Sequence, residues 1–174
     1  MGAITIDKTD TINASADRVW EILSDEFTDV GSWASAVDHS EAHDKAPAPA
    51  GASTGRRTCQ VPGFGFTDER FTRFDAANKT FSFSVDAEKI PDFFQNMEST
   101  WKVVPTGPKT SKVTTKIAGQ ATGMMGALVS PMMKRKFNGL LDQGYEDLKI
   151  YAETGQVSDA KRKAQAKHAK KAKS

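Results

Sequence analysis

The feature that most constrains the fold is a run of alternating apolar and polar residues that starts after Gly55 and ends near Ile117. Short turn sequences such as Pro62-Gly63 divide this run into five segments. A period of two is typical of strands with one buried face, and short turns join antiparallel neighbours. The run therefore predicts five consecutive antiparallel strands. Their alternating positions are Arg57, Cys59 and Val61; Glu69, Phe71 and Arg73; Phe81, Phe83 and Val85; Met97, Ser99, Trp101 and Val103; and Val113, Thr115 and Ile117.

One strand and two short helices are predicted before this run. Residues 3–13 alternate and are rich in threonine, which indicates a first strand with one buried face. Ser15 or Asp17 would cap a first short helix, whose apolar stripe contains Trp20. Phe27–Val37 carries apolar residues three and four positions apart and predicts a second short helix.

Two segments connect these helices to the alternating run. Asp38–Asp44 is polar and predicts either an edge strand or a loop. Lys45–Thr54 is a Pro-, Ala- and Gly-containing stretch without a hydrophobic period, which predicts a surface connection.

A long helix is predicted at Gly126–Glu153, where apolar residues recur mostly at spacings of three and four. Pro131 should mark a kink or the true first turn. Gly155 follows the last periodic residue, as is typical of a helix C-cap. The predicted apolar stripe consists of Leu128, Phe137, Leu140, Leu141, Tyr145, Leu148 and Tyr151.

The charge is divided unevenly along the 174 residues, although the chain as a whole carries a formal net charge of only +2. Residues 159–174 carry net +6, which leaves net −4 on residues 1–158. The basic segment has no apolar residue larger than alanine and predicts a solvated, partly helical tail. We therefore expect one domain over residues 1–157 and a Lys/Ala-rich tail over residues 158–174.

Composition excludes several classes of protein. The single cysteine, Cys59, excludes a disulfide framework and a multi-cysteine zinc site. We see neither a secretory signal nor an apolar run long enough to span a bilayer, so we expect a cytoplasmic protein. His39 and His43 on one strand would lie about 13 Å apart, too far to share one metal ion. We expect neither a metal site nor a cofactor.

Sequence motifs in the same order as these elements resemble a known superfamily. They are ITIDKTDTINASADRVWEILSDEFTDVGSWASAV, Gly55-Arg56-Arg57, TDERFTRFDAANKTFSFSV and GLLDQGYEDLKIYAETG. Together they resemble the START/Bet v 1-like (SRPBCC) superfamily, in particular its bacterial polyketide cyclase/dehydrase-like branch, over about residues 3–155.

The resemblance implies an α+β helix-grip fold, in which a curved antiparallel sheet of about seven strands wraps around a long C-terminal helix. It also implies a cavity between sheet and helix, and hence binding or transport of a hydrophobic molecule such as a lipid, an isoprenoid or an aromatic, polyketide-like compound. The strand pattern predicts the cavity lining. The predicted residues are Arg57, Cys59, Val61, Glu69, Phe71, Phe81, Phe83, Met97, Ser99, Trp101, Thr115, Ile117, Phe137, Leu141 and Tyr145.

Glu69 is the one candidate catalytic residue. Glu69 shares strand parity with Phe71, and a buried carboxylate needs a partner, for which Arg57 and Arg73 are the candidates. The alternative for both arginines is that they reach solvent from near the strand ends. In an enzyme, Glu69 would act as general acid or base in a cyclase or dehydratase reaction, with Tyr145 or Arg57 stabilising an enolate. We consider binding without chemistry the better hypothesis.

The basic tail suggests a further class of function. Its lysines would attract anionic lipid head groups or nucleic acid without sequence specificity. A regulatory or stress-related protein that contacts anionic partners through this tail is therefore a third hypothesis. The oligomeric state has no sequence signature here.

Overall fold

A computed structural model describes residues 2–43 and 47–172. The predictions for Asp38–Asp44 and Lys45–Thr54 fall partly on residues 44–46, which lie outside the described residues. The helices are α1 (Ala16–Trp20), α2 (Val30–Trp33), α3 (Gly123–Thr154) and α4 (Asp159–Lys171). Between α1 and α2 lie a π-helical turn, Glu21–Asp25, and a 3₁₀ turn, Phe27–Asp29.

Seven strands form one antiparallel sheet, which confirms the predicted α+β helix-grip fold. In chain order they are β1 (Gly2–Ile12), β2 (His39–Ala42), β3 (Arg56–Val61), β4 (Gly65–Asp75), β5 (Thr80–Ala87), β6 (Phe94–Gly107) and β7 (Thr110–Ala121). Strands β3 to β7 pair with their neighbours along the chain. β1 pairs with β7, and β2 forms the opposite edge of the sheet. The sequence run of period two therefore becomes the five consecutive strands that it predicted.

A β-bulge in β4 changes which side chains face the interior. Phe71 pairs with Phe83, but Arg73 pairs with Ser82, so an extra residue lies between them. The bulge inverts the strand parity beyond it. Arg73 is consequently exposed, while Phe74 packs against the core. Of the two arginines considered as partners for Glu69, Arg73 is the one that reaches solvent.

Helix α3 begins three residues earlier than predicted and contains Pro131 rather than starting at it. Its C-terminus is as predicted, because Gly155 adopts φ 72° and its N–H donates to the Tyr151 carbonyl. Leu128 is 75% exposed and does not belong to the buried stripe. It follows the buried Gly126 by two positions, which places it about 200° around the helix from that residue. Three methionines are exposed on the same N-terminal half: Met124, Met125 and Met132.

A buried carboxylate joins three parts of the chain. Asp147 on α3 is fully buried, and Oδ2 accepts hydrogen bonds from the Ser35 backbone N–H and hydroxyl, each at 2.7 Å. Oδ1 accepts from Gln143 at 3.0 Å and from the Ser158 hydroxyl. Buried carboxylates are costly unless their oxygens are satisfied in this way. Asp147 therefore connects α3 to the segment after α2 and to the start of α4.

The basic tail is helical, as expected, but its first turn is not solvated. Ser158 caps α4 by accepting a hydrogen bond from the Lys161 backbone N–H. Lys161 is 1% exposed, and its Nζ donates to the Val37 carbonyl at 2.7 Å. Burial lowers the pKa of the Lys161 ammonium, while the carboxylates of Asp38 and Asp147 oppose that shift. Polar contacts therefore fix a helix that has no large apolar residue, and the domain boundary at residue 157 stays a prediction.

We expect Asp147→Ala to lower the free energy of unfolding by about 3 kcal/mol, because the buried donors around it lose their acceptor. Urea unfolding followed by circular dichroism measures the change. Asp142→Ala is the matched control on the same helix, since Asp142 is exposed and its ion pair with Lys8 is at the surface. We expect that control to lose less than about 1 kcal/mol. Equal losses in the two variants would contradict the role given to Asp147.

Candidate ligand-binding site

A small apolar cavity of about 50 Å³ lies between the sheet and the helical segment after β1. Its walls come from strands β3, β5 and β6 and from the residues between Ile22 and Trp33. The lining residues are Ile22, Leu23, Phe27, Val30, Trp33, Arg57, Phe81, Phe83 and Trp101. Aromatic rings therefore dominate the wall, and Arg57 is its charged member.

Four of the residues predicted as cavity lining lie on this wall: Arg57, Phe81, Phe83 and Trp101. The other five lining residues belong to the helical segment, and the sequence pattern did not predict them as cavity lining. Their spacing identified them as the buried face of short helices, and periodicity does not distinguish a side chain that packs in the core from one that borders a void.

The other predicted lining residues lie elsewhere in the interior. Cys59, Phe71, Met97, Ser99, Thr115 and Leu141 are buried without bordering the cavity, and Ile117 is half-buried. Val61 and Phe137 pack in a second apolar cluster that contains Phe64 and Met133. Burial raises the pKa of the Cys59 thiol to about 12, so this cysteine is unreactive at neutral pH.

A buried ion pair supports the cavity wall. Arg57 on β3 lies directly opposite Glu69 on β4, and its Nε donates to Glu69 Oε2 at 2.6 Å. Glu69 Oε1 accepts a hydrogen bond from the Thr67 hydroxyl at 3.2 Å. Both side chains are only 10% exposed. Arg57 is therefore the partner that the buried Glu69 requires, and both carboxylate oxygens are engaged.

Arg57 also connects the sheet to the helical segment. Its Nη1 donates to the backbone carbonyl of Phe27, and its guanidinium carbon lies 3.7 Å from the centre of the Phe27 ring. The Phe83 ring lies 5.4 Å away. Guanidinium groups are stabilised over aromatic faces in this way. One arginine thus holds the 3₁₀ turn, Phe27–Asp29, against strands β3 and β5.

The helical segment itself is irregular. Within Glu21–Trp33 the backbone changes from a π-helical turn to a 3₁₀ turn and then to the single turn of α2. Such irregular turns recur at functional sites and hinges because their hydrogen bonds are less regular than those of an α-helix. The part of the cavity wall that the sequence pattern did not predict is therefore also the part of the wall with the least regular backbone.

Trp33 has an unused donor. Its indole Nε1 is buried and has no hydrogen-bond partner among the residues that the structure describes. Its ring stacks on Tyr151, with 6.2 Å between the ring centres. An unpaired buried N–H costs about 1–3 kcal/mol. Trp33 borders the cavity, and an acceptor on a bound molecule would satisfy this N–H once the neighbouring side chains let it approach.

Tyr145 is engaged in holding α3 to the sheet. Its hydroxyl lies 2.9 Å from the Thr115 hydroxyl and donates to the Val113 carbonyl at 3.2 Å. Its ring stacks on Trp101, 5.8 Å away between centres. Burial raises the pKa of Tyr145 to about 12. These contacts describe a packing residue behind the cavity wall.

Metal ligation finds no support in the part of the chain that is described. No group of three or more His, Cys, Asp or Glu side chains there is placed to hold an ion. His39 and Glu41 lie on the exposed edge strand β2, with 3.6 Å between His39 Nε2 and Glu41 Oε2. Among the helices of residues 2–43 and 47–172, none combines the length and apolar character that crossing a membrane requires.

Solved structures share this architecture. A START superfamily protein from Mycobacterium smegmatis is 17% identical, with a TM-score of 0.68 over 89% of this chain and 100% of its own. Zhui aromatase/cyclase from Streptomyces is 15% identical, with a TM-score of 0.68 over 90% and 100%. Truncated norcoclaurine synthase from Thalictrum flavum is 17% identical, with a TM-score of 0.67 over 86% and 92%. At these identities the likeness shows the fold, which is that of the START/Bet v 1-like (SRPBCC) superfamily.

A match to a family model assigns the chain to one family within this superfamily. The model described as polyketide cyclase / dehydrase and lipid transport matches residues 3–153. The chain therefore belongs to that family, and membership supports binding of a hydrophobic small molecule in general. A search of curated proteins found no match. The matched range ends before α4, so the basic helix lies outside the residues that the family model matches.

We expect Glu69→Gln to lower the free energy of unfolding by about 3 kcal/mol, because it leaves the buried Arg57 without its counter-charge. The outer face of the same two strands supplies a matched control. Asp68 pairs there with Arg56 near the surface, so Asp68→Asn should cost less than about 1 kcal/mol. Denaturant unfolding of both variants makes the comparison. A loss for Glu69→Gln no larger than that of the control would show that the pair is not needed for stability.

Proposed function

We propose that the protein binds a small aromatic or polyketide-like molecule between the sheet and the helical segment Glu21–Trp33. The observation that carries the proposal is the unpaired indole N–H of Trp33, a residue of a mainly apolar cavity wall whose one charged member is Arg57. Specific small-molecule sites combine an apolar wall with few polar groups in this way. Family membership supports a hydrophobic ligand in general.

The character of the wall favours a flat ligand over an acyl chain. Five of the nine lining residues are aromatic: Phe27, Trp33, Phe81, Phe83 and Trp101. Aromatic rings pack well against other rings in offset or edge-to-face arrangements. Only three lining residues, Ile22, Leu23 and Val30, are aliphatic, so we place lipids and isoprenoids second.

The cavity must enlarge to admit such a ligand. Its volume of about 50 Å³ is below the roughly 150 Å³ of an apolar cavity that holds benzene. The irregular backbone of Glu21–Trp33 makes this segment the mobile wall in our proposal. The Phe27 carbonyl bound by Arg57 would be the contact that restrains its movement.

The catalytic alternative depends on Glu69. A cyclase or dehydratase would need its carboxylate to exchange a proton with substrate. Arg57 and Thr67 occupy both of its oxygens, and Glu69 does not border the cavity. These contacts favour binding over a Glu69-dependent reaction. Turnover of a polyketide-like chain by the wild-type protein, abolished in Glu69→Gln, would reverse that preference.

Naphthol and naphthalene test the proposal, because they differ only in the hydroxyl oxygen that could accept from Trp33. We expect both to quench tryptophan fluorescence saturably and naphthol to bind more tightly. Trp33→Phe should weaken naphthol binding about tenfold, the loss of one hydrogen bond, and leave naphthalene binding unchanged. Isothermal titration measures both affinities.

Trp20→Phe is the matched control, since Trp20 is buried in the core but does not border the cavity. It should leave both affinities unchanged. Equal weakening of naphthol binding by the two tryptophan variants would remove Trp33 as the polar contact. Absence of saturable binding of either compound to the wild-type protein would contradict the proposed site.

A further inference from the structure

The docked helix α4, which lies outside the residues that the family model matches, forms one side of a second recess. A cleft of about 400 Å³ lies between α4 and the turn that joins β3 to β4. From the body of the protein it is lined by Asp38, Gln60, Gly63 and Lys89, among others. None of the described residues in its lining borders the apolar cavity described above. It is therefore a separate candidate site.

One face of α4 forms the other wall of the cleft. Its members are Ala164, Lys167, His168 and Lys171, which follow the helical spacing of three and four. The contacts of Ser158 and Lys161 hold the first turn of the helix in place. The cleft is therefore built by a docked helix rather than by a freely moving tail.

The charges in the cleft are unbalanced. Lys89, Lys167 and Lys171 border it, and Asp38 is the single carboxylate among the described residues of its lining. Asp38 already has basic neighbours, since His168 Nδ1 lies 3.8 Å from its Oδ2 and the Lys161 ammonium interacts with its charge. Within the described residues, Lys89 and Lys167 have no ion-pair partner. Like charges gathered in one recess repel each other unless an anion lies between them.

The turn opposite α4 contains two glycines with a left-handed backbone. Gly63 and Gly65 both border the cleft and adopt positive φ angles of 84° and 76°. Glycine permits this backbone, and the side chains of Glu88 and Lys136 pack beside Gly65 and Gly63, respectively. Lys136 Nζ lies 3.9 Å from the centre of the Phe64 ring in the same turn and adds positive charge to this side of the molecule.

We propose that this cleft binds a molecule bearing a phosphomonoester or pyrophosphate group, held between Lys89 of the body and Lys167 of α4. Lysine ammonium groups are common partners of phosphate oxygens. The volume is in the range of small-molecule sites, about 300–1,000 Å³, and the recess uses the body as well as the tail. Non-specific attraction of a nucleic acid to the tail would not need Lys89. The site is independent of the function proposed for the apolar cavity.

Inorganic pyrophosphate is the probe for isothermal titration against the full chain at low ionic strength. We expect saturable binding with one site, weakened about tenfold by Lys89→Gln and by Lys167→Gln. Asp38→Asn should tighten binding, because it removes the negative charge from the lining. A variant that only damaged the fold would not bind more tightly.

Matched controls remove the same charge outside the cleft. Lys163 lies one turn before Lys167 on α4, and Lys109 is exposed in the turn between β6 and β7; neither borders the cleft. Lys163→Gln and Lys109→Gln should leave pyrophosphate binding nearly unchanged. Equal weakening by all four lysine variants would show general charge attraction and overturn the proposal, as would the absence of saturable binding.

Competition identifies the source of the phosphate group. Vesicles of phosphatidylcholine and phosphatidic acid are the competitor. If they bind the wild-type protein but not Lys89→Gln, and if pyrophosphate displaces them, the result supports a lipid head group as the natural ligand. Pyrophosphate binding that such vesicles leave unchanged supports a free phosphorylated molecule. If single-stranded DNA binds Lys89→Gln as well as it binds the wild-type protein, and pyrophosphate shows no saturable binding, the proposal is overturned. The tail would then be a nucleic-acid contact. Naphthol affinity should be the same in Lys89→Gln and wild type, which separates this site from the apolar one.

Discussion

The interior of this protein is organised around a buried ion pair, in which the loss of either charge would leave the other one buried and unpaired. Arg57 and Glu69 face each other across two strands in a largely apolar interior, where either charge alone would be costly. Because Arg57 also binds the Phe27 carbonyl, the same charge fixes the short helical turns over the sheet. The apolar cavity exists between these two layers. Its shape therefore depends on a polar contact at its border rather than on apolar packing alone.

The strand order and the long helix were predictable from local patterns. Period-two alternation gave the inward faces of β3, β5, β6 and β7, and Gly155 correctly marked the end of α3. The pattern failed after Phe71, because one inserted residue in β4 inverts the parity, whereas a period of two assumes an uninterrupted strand. The prediction that Leu128 belongs to the buried stripe of α3 was wrong for a related reason. Leu128 lies about half a turn around the helix from that stripe and is exposed.

The site was less predictable than the fold. Trp33 looked like an ordinary core residue, and its unpaired N–H depends on the positions of groups far away in the chain. The anchoring of α4 was hidden for the same reason. Ser158 and Lys161 are polar residues in a polar segment, and only the folded chain brings them to Asp147 and the Val37 carbonyl. Composition describes what a segment contains, whereas its partners decide whether it is buried.

The burial of Lys161 links the attachment of α4 to proton binding. Its pKa in the folded chain is below the ordinary value of 10.5, chiefly because of desolvation. Between these two values the unfolded chain holds more protons than the folded one, so a rise in pH through that interval favours the folded, docked state. Tyr145 acts in the opposite direction between about 10 and about 12, where the folded chain holds the extra proton. Within that interval, loss of the Lys161 proton should therefore favour the docked position of the basic helix.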